Sequence, residues 1–372
     1  MKYLSFFFLF FFSAITYGQV NDIHNTLNLI FLADGIAQKI EIIDINTEES
    51  IYVIETDKSI HEVFATPFAP VLIFSSLEDS SINFIDLRSM EVAKELILNS
   101  PPMHGVLDPS GTKIAFTNSL DGGFEYISAY SGERIFSLDD FPATGPILFD
   151  VNQVELYFSS INDNWIGFLD LNTKRYSEID LPLSGQSAFE LSSPSRSMDG
   201  RYIYISNTSS GEVYVLNAFS KIIFKAFYVG SQPVRPYSTP EGSFLYIVDE
   251  ASGKFISVDQ NQFNTFYEGM VPPGTNLIAV GRFDRYNLFL STHTKNYAIF
   301  DNVRQRVTDQ GMLEGTPVAV YGTVDGRSAY IAFKDHKDMV KLSFENQEIA
   351  AISTNLNSVT AMTVGMSNNV CH

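Results

Sequence analysis

The chain is poor in cysteine and in positive charge. Its 372 residues include one cysteine, so no disulfide can form within the chain and stability must come from packing. Lys and Arg number 24 against 43 Asp and Glu, which gives a formal net charge of −19. Because an acidic surface repels phosphate groups, neither nucleic acid nor an anionic membrane surface is an expected partner.

Long apolar segments are also scarce. The longest, residues 4–12, is well short of the roughly 20 residues that a helix needs to span a bilayer, so we expect no membrane span. With Lys2 before it and small residues up to Gly18, it has the pattern of a signal peptide; an uncleaved anchor is the alternative. We therefore expect a signal peptide over residues 1–18, a mature chain over residues 19–372, and a periplasmic or secreted protein.

Familiar catalytic motifs are missing. The sequence has no G-x-S-x-G elbow, no phosphate-binding loop and no EF-hand spacing. The stretch "HEVFA" at His61 lacks the second histidine of a zinc-protease helix. These absences favour a protein without a catalytic site of its own.

What the sequence does have is a regular internal repeat. Each unit contains an apolar strand, a polar turn, a second strand, and a small polar residue where that strand ends. These end residues follow one another at spacings of 42, 42, 42, 47, 42, 42 and 42, and they are Asp44, Asp86, Ser128, Asp170, Asn217, Asp259, Asp301 and Ser343. Asp, Asn and Ser accept hydrogen bonds from backbone N–H groups two residues on, so we interpret all eight as turn-formers.

A unit of about 42 residues with four short strands is typical of a propeller blade. Gly111, Gly200, Gly242 and Gly326 lie in the turns between the first and second strands, where positive φ is needed. The first unit lacks an inner strand, and the last apolar segment, residues 358–365, lacks a partner. Pairing that segment with residues 27–34 predicts an all-β, single eight-bladed β-propeller without an open sheet edge. Seven blades would require one unit to be peripheral.

Two strands of the repeat, "IYISN" and "VYVLN" after Asp199, resemble the YVTN-type repeat, and the resemblance is sharpest between Asp199 and Asp259. Secreted propellers of this kind, which are WD40-like, include the eight-bladed cytochrome d1-type haem-binding propellers and the large subunits of amine dehydrogenases. Others are simple binding proteins. The resemblance therefore implies a fold far more than a function.

Several functions of related families can be tested on the sequence. A c-type haem requires C-x-x-C-H, but the tail "NNVCH" has Asn368 at the first cysteine position. Quinoprotein alcohol dehydrogenases resemble one another in a tryptophan motif in every blade, whereas this chain has Trp165 alone. Haem d1 carries several carboxylates and would require an Arg-rich funnel and an axial histidine, which is at odds with the acidic composition.

The central funnel is the first candidate ligand site. In the 42-residue register, Glu62, His104 and Arg235 occupy one position at the start of the inner strand, and His61 lies one residue earlier. A carboxylate, imidazoles and a guanidinium at one rim can hold an anionic or metal-bearing ligand. The alternative is structural, because histidine at this position also caps the start of the strand.

The two chain ends form the second candidate site. If residues 358–365 complete the first blade, His24 approaches Cys371 and His372. A thiolate and two imidazoles suit Cu(I) or Zn(II), with water or the terminal carboxylate as a fourth ligand. Frayed ends, or a thiol used for lipidation or cross-linking, are the alternatives.

The sequence as a whole favours a non-catalytic ligand- or protein-binding propeller whose funnel or loops contact a small ligand or a partner protein. A redox or cofactor-handling propeller, similar to haem d1 proteins or to an amine dehydrogenase subunit, is the alternative. A Cu or Zn carrier that uses the chain termini is a third interpretation.

Overall fold

The computed structural model describes residues 23–118, 122–182, 190–281 and 284–365. Secondary structure in these residues is almost entirely β-strand, and none of them belongs to a helix long and apolar enough to cross a membrane. The strands form eight four-stranded antiparallel sheets, each of which is one blade. The prediction of an all-β, eight-bladed propeller is therefore confirmed, and the seven-bladed alternative is wrong.

The first four blades follow one another along the chain. Blade 1 contains β1 (Leu29–Asp34), β2 (Lys39–Asp44) and β3 (Glu49–Glu55). Blade 2 contains β4 (Glu62–Ala65), β5 (Val71–Ser76), β6 (Ser81–Asp86) and β7 (Glu91–Ile97). Blade 3 contains β8 (His104–Leu107), β9 (Lys113–Thr117), β10 (Phe124–Ser128) and β11 (Arg134–Leu138). Blade 4 contains β12 (Leu148–Phe149), β13 (Glu155–Ser159), β14 (Trp165–Asp170) and β15 (Arg175–Asp180).

The second four blades continue the same order. Blade 5 contains β16 (Ser195–Arg196), β17 (Tyr202–Asn207), β18 (Glu212–Asn217) and β19 (Ile222–Tyr228). Blade 6 contains β20 (Tyr237–Ser238), β21 (Phe244–Val248), β22 (Lys254–Asp259) and β23 (Thr265–Met270). Blade 7 contains β24 (Leu277–Val280), β25 (Tyr286–Leu290), β26 (Asn296–Asp301) and β27 (Arg306–Met312). Blade 8 contains β28 (Pro317–Gly322), β29 (Ser328–Phe333), β30 (Met339–Ser343) and β31 (Ile349–Ile352), and β32 (Ala361–Val364) joins blade 1.

Strand β32 closes the ring. It pairs antiparallel with β1, and Ile30 lies opposite Val364 while Ala33 lies opposite Ala361. This is the pairing of residues 358–365 with residues 27–34 that the repeat predicts. Closure gives blade 1 its inner strand and covers the inner edge of β1, which would otherwise offer unpaired backbone groups to another chain.

The hydrophobic core is divided into eight clusters, and each cluster lies between two consecutive blades. One cluster packs Phe31 of blade 1 against Phe74 of blade 2, and the last packs Tyr330 of blade 8 against Leu32 of blade 1. Blades therefore contact their neighbours in sequence order all around the ring. It follows that blades 2 and 6, which are four positions apart among eight, face each other across the centre.

The predicted turn-formers have that role in every blade. Asp44 accepts a hydrogen bond from the Asn46 N–H at 2.7 Å, and Asn217 accepts one from the Phe219 N–H at 3.0 Å. The other six also accept an N–H two or three residues on, and they are Asp86, Ser128, Asp170, Asp259, Asp301 and Ser343. These polar residues hold the turns between third and fourth strands, which confirms the interpretation.

The turn glycines also follow the prediction. Gly111, Gly200, Gly242 and Gly326 have φ between +63° and +71°, where a Cβ would be strained. Asp284 occupies the same register position in blade 7 with φ of +53°, a conformation that Asp tolerates better than most residues.

Candidate functional site

The inner strands of the eight blades line a central channel. The position of Glu62 recurs once per blade at the spacing of the repeat, and the eight residues are Glu62, His104, Pro146, Ser193, Arg235, Leu277, Ala319 and Ala361. Strand register supports the alignment, because Glu62 pairs with Ser75 while His104 pairs with Thr117, which lies 42 residues after Ser75. All eight side chains keep access to solvent. We call these eight residues the channel ring.

Three of the predicted residues meet at the junction of blades 2 and 3. Glu62 Oε2 accepts a hydrogen bond from the Gly105 N–H at 2.8 Å, so the carboxyl group of blade 2 is tied to the inner strand of blade 3. His61 reaches the same strand, with 3.0 Å between its Nε2 and the Met103 carbonyl oxygen. His104 lies between these two contacts. The structure therefore brings His61, Glu62 and His104 together.

Glycine at position 105 permits this junction. A Cβ there would lie 2.5 Å from the Phe64 ring and 2.6 Å from the Phe116 ring, both of which pack into the blade 2–3 core. Without a side chain, the backbone comes close enough for its N–H to reach Glu62. The signal for this role in the sequence is the glycine that directly follows His104.

Burial by the channel walls changes the ionisation of this cluster. It raises the pKa of Glu62 from 4.5 to about 8, and the Gly105 N–H, which favours the carboxylate, offsets only part of that change. Burial lowers the pKa of His104, and the positive charge of a protonated His61 lowers it further. Near pH 7 these shifts favour the neutral forms of Glu62 and His104.

Sequence reasoning missed Tyr321, which approaches the same cluster from blade 8. Burial raises the pKa of the Tyr321 phenol, and the Glu62 charge raises it further, whereas a hydrogen bond with the Thr363 side chain opposes both effects. Tyr321 lies two residues after Ala319, which belongs to the channel ring. Because side chains alternate along a strand, a residue two positions further on lines the same wall, and that rule would have found it.

Arg235 lies on the opposite wall, in blade 6. Its Nε donates to the Pro194 carbonyl oxygen of blade 5 at 3.3 Å. An isolated bridge between Pro233 and Asp249 precedes it, and β20 begins only at Tyr237, so Arg235 lies in a gap of the ladder. Pro236 contributes to the gap because proline has no N–H to donate. The irregular backbone therefore presents Arg235 to the channel.

A second guanidinium and a phenol lie near Arg235. The side chain of Arg235 is solvent-accessible, yet the surrounding walls lower the pKa of its guanidinium. Tyr237 raises that pKa, and the positive charge of Arg196 lowers it. Arg196 belongs to β16 and is buried. Two guanidinium groups therefore lie close together at this wall, although the chain as a whole is strongly acidic.

The predicted terminal metal site is only partly covered by the structure. His24 is exposed ahead of β1, whereas Cys371 and His372 lie outside the described residues. Within the described ranges, no group of three or more His, Cys, Asp or Glu side chains could hold a metal ion. The terminal Cu or Zn site therefore stays a prediction.

No protein-family model matches the sequence, and no curated protein matches it. Solved structures do resemble it. "Dihydro-heme d1 dehydrogenase NirN in complex with DHE" has a TM-score of 0.75 at 14% identity, covering 94% of this chain and 77% of that one. The fold that they share with this chain is the β-propeller. BamB from Moraxella catarrhalis has a TM-score of 0.64 at 15% identity, covering 80% of this chain and 89% of that one.

A WD40 domain is also similar. The C-terminal WD40 domain of Sif2 has a TM-score of 0.66 at 11% identity, covering 82% of this chain and 92% of that one. At such low identity these similarities establish the fold alone. The YVTN-type assignment, which no family model matches, stays a prediction.

Proposed function

We propose that this protein is a binding protein that holds a small anionic ligand in its central channel, without a catalytic site of its own. The observation that carries the proposal is Arg235, a guanidinium inside the channel whose hydrogen bond goes to the Pro194 carbonyl. Among the residues that the structure describes, Arg235 forms no ion pair with a carboxylate. A guanidinium that is open to the channel and has no ion-pair partner can bind the oxygens of a ligand anion.

The chemistry of the wall favours a carboxylate or phosphate group. A guanidinium presents several N–H groups in one plane, and these match two oxygens of such an anion at once. The positive charge of Arg196 adds to the attraction. The hydroxyl-bearing Ser193 stands next to Arg235 in the channel ring and can accept or donate one further hydrogen bond.

The test is thermal denaturation with increasing succinate or phosphate at constant ionic strength. Wild-type protein is expected to gain about 3 kcal/mol in unfolding free energy at a ligand concentration about 100 times the dissociation constant. Arg235→Met should lose that gain. Arg175→Met, which alters an exposed arginine on an outer strand, should keep it. Equal stabilisation of both variants would contradict the proposal.

A cofactor with several carboxylates, such as a haem d1-type macrocycle, is a second candidate ligand. Two observations favour it: the similarity to NirN over 94% of the chain, and the presence of His104 and two arginines at the channel. His104 would supply an uncharged imidazole to the metal, and Arg235 and Arg196 would hold the carboxylates. An absorption spectrum of protein purified from its own host tests this. A stoichiometric visible chromophore supports the candidate, and a colourless protein contradicts it.

We also propose that the protein is exported to the periplasm or secreted, and its N-terminal sequence supports this. N-terminal sequencing of the mature protein should begin at Gln19, and a chain that retains Met1 in the cytoplasm would contradict it.

The terminal site formed by His24, Cys371 and His372 is tested by metal analysis. Bound Cu or Zn that is lost in Cys371→Ser supports a carrier role. Equal metal content in the wild-type protein and the variant would contradict that role.

A further inference from the structure

The starting observation concerns the two members of the channel ring that bear a carboxyl group and a guanidinium group. Glu62 belongs to blade 2 and Arg235 to blade 6, at the same register position of the inner strand. Three blades lie between them in either direction around the ring of eight, so they stand on opposite walls of the channel at one level. A ligand that contacts both must extend across the channel.

Neither residue has a counter-ion among the residues that the structure describes. Within the described part of the chain, no ion pair includes Glu62 or Arg235, and Glu62 receives its one side-chain hydrogen bond from the Gly105 N–H. The lack of pairing in the channel therefore leaves two complementary sites available to a ligand.

Both side chains are tied to neighbouring blades on the same side of the channel, the side of blade 4. Glu62 is tied toward blade 3 through Gly105, and Arg235 is tied toward blade 5 through Pro194. Blade 4 lies between those contacts, and its member of the channel ring is the exposed, apolar Pro146. A ligand that spans the channel between the two groups on the side of blade 4 would place an apolar middle against Pro146.

The groups that face Glu62 include no lysine or arginine side chain. They are His61 on its own blade, His104 on blade 3 and Tyr321 on blade 8, and none of these is a lysine or arginine. The remaining members of the channel ring carry no charge, and they are Ser193, Leu277, Ala319 and Ala361. Among the described residues around Glu62, only the histidines can carry a positive charge, so no permanent cation stands there before a ligand binds.

We propose that the channel ligand is dipolar, with its anionic group at Arg235 and a protonated amine at the Glu62 carboxyl group. The inference rests on the proposed function, because the anionic end uses the same Arg235 site. When the ammonium group binds, Glu62 changes from carboxylic acid to carboxylate, and its proton passes to solvent. Its raised pKa is consistent with a carboxyl group that ionises only when a cation arrives.

The test uses matched probes in isothermal titration calorimetry at pH 7. Three amino acids of increasing length, 4-aminobutanoate, 6-aminohexanoate and 8-aminooctanoate, are compared with butanoate, hexanoate and octanoate. At least one amino acid should bind about tenfold more tightly than its matched acid. Glu62→Gln should abolish that preference and keep the affinity for the acid, whereas Glu78→Gln, which alters an exposed turn, should change neither.

Titrations in two buffers of different ionisation enthalpy supply a second readout. Wild-type protein should release close to one proton per bound amino acid, and Glu62→Gln should release none. Equal affinity for every amino acid and its matched acid would overturn the dipolar inference and leave the anion site of Arg235 standing. If Arg235→Met binds the acids as well as wild type does, the proposed function itself fails. Absence of binding by all three amino acids would overturn the inference as well.

Discussion

Replacing Glu62 by Gln should stabilise the protein, and more at neutral than at acidic pH. The pKa of Glu62 is about 8 in the folded chain and 4.5 as its ordinary value. Between these values the unfolded chain carries a carboxylate while the folded chain keeps the proton. The contribution of this group to stability is therefore fully present below pH 4.5 and is lost as pH rises toward 8.

The size of the effect follows from the two pKa values. Because Glu62 stays protonated in the folded chain, it lowers the free energy of unfolding by about 3 kcal/mol at pH 7 and by about 1 kcal/mol at pH 5. These are upper limits, since the side chain keeps partial access to channel water. Gln has the same shape and can accept the Gly105 N–H but carries no charge. The unfolding free energy of Glu62→Gln should thus exceed that of wild type by about 2 kcal/mol more at pH 7 than at pH 5.

Urea-induced unfolding of both proteins at pH 5, 6, 7 and 8 measures this difference. Other titrating groups, such as the buried Asp284 and Glu125, are common to both proteins and cancel. Glu78→Gln, an exposed change, serves as the control and should follow wild type at each pH. If the difference in unfolding free energy between Glu62→Gln and wild type stays constant from pH 5 to 8, the channel walls do not raise the pKa of Glu62 and the reasoning is refuted.

Three further predictions concern stability. Gly105→Ala places a Cβ 2.5 Å from the Phe64 ring and should lower the unfolding free energy by about 1–3 kcal/mol, measured by urea denaturation; an unchanged midpoint would contradict the packing. Tyr204→Phe removes a buried hydrogen bond of 2.7 Å to Gln260 Oε1 and should cost about 1 kcal/mol in the same assay, whereas a neutral effect would argue against that bond. Truncation before Ser358 removes β32, so we expect loss of cooperative thermal unfolding; a truncated chain that melts like wild type would contradict ring closure.

Much of the fold could be predicted because the repeat is encoded locally. Asp44 and its seven equivalents form turns through contacts within three residues, so their spacing alone reveals the blades. Ring closure could also be predicted, because β1 and β32 are complementary remnants of a single blade. Counting strands was enough to pair segments that lie more than 300 residues apart.

The candidate site could be predicted only in part. The register placed Glu62, His104 and Arg235 at one level, since each repeat contributes one residue to the channel ring. It did not reveal the bond from Gly105 to Glu62, nor Tyr321 beside that carboxyl group, because these contacts join different blades. Ionisation depends on such neighbours and on burial, and neither is encoded in the spacing.

The central claim, that the channel holds an anion at Arg235, is tested most directly by anomalous diffraction from crystals soaked in bromide. The account predicts a bromide ion in contact with the Arg235 guanidinium inside the channel, and its disappearance in Arg235→Met crystals. Bromide on the outer surface with none at Arg235, or the same channel peak in the variant, would contradict the claim.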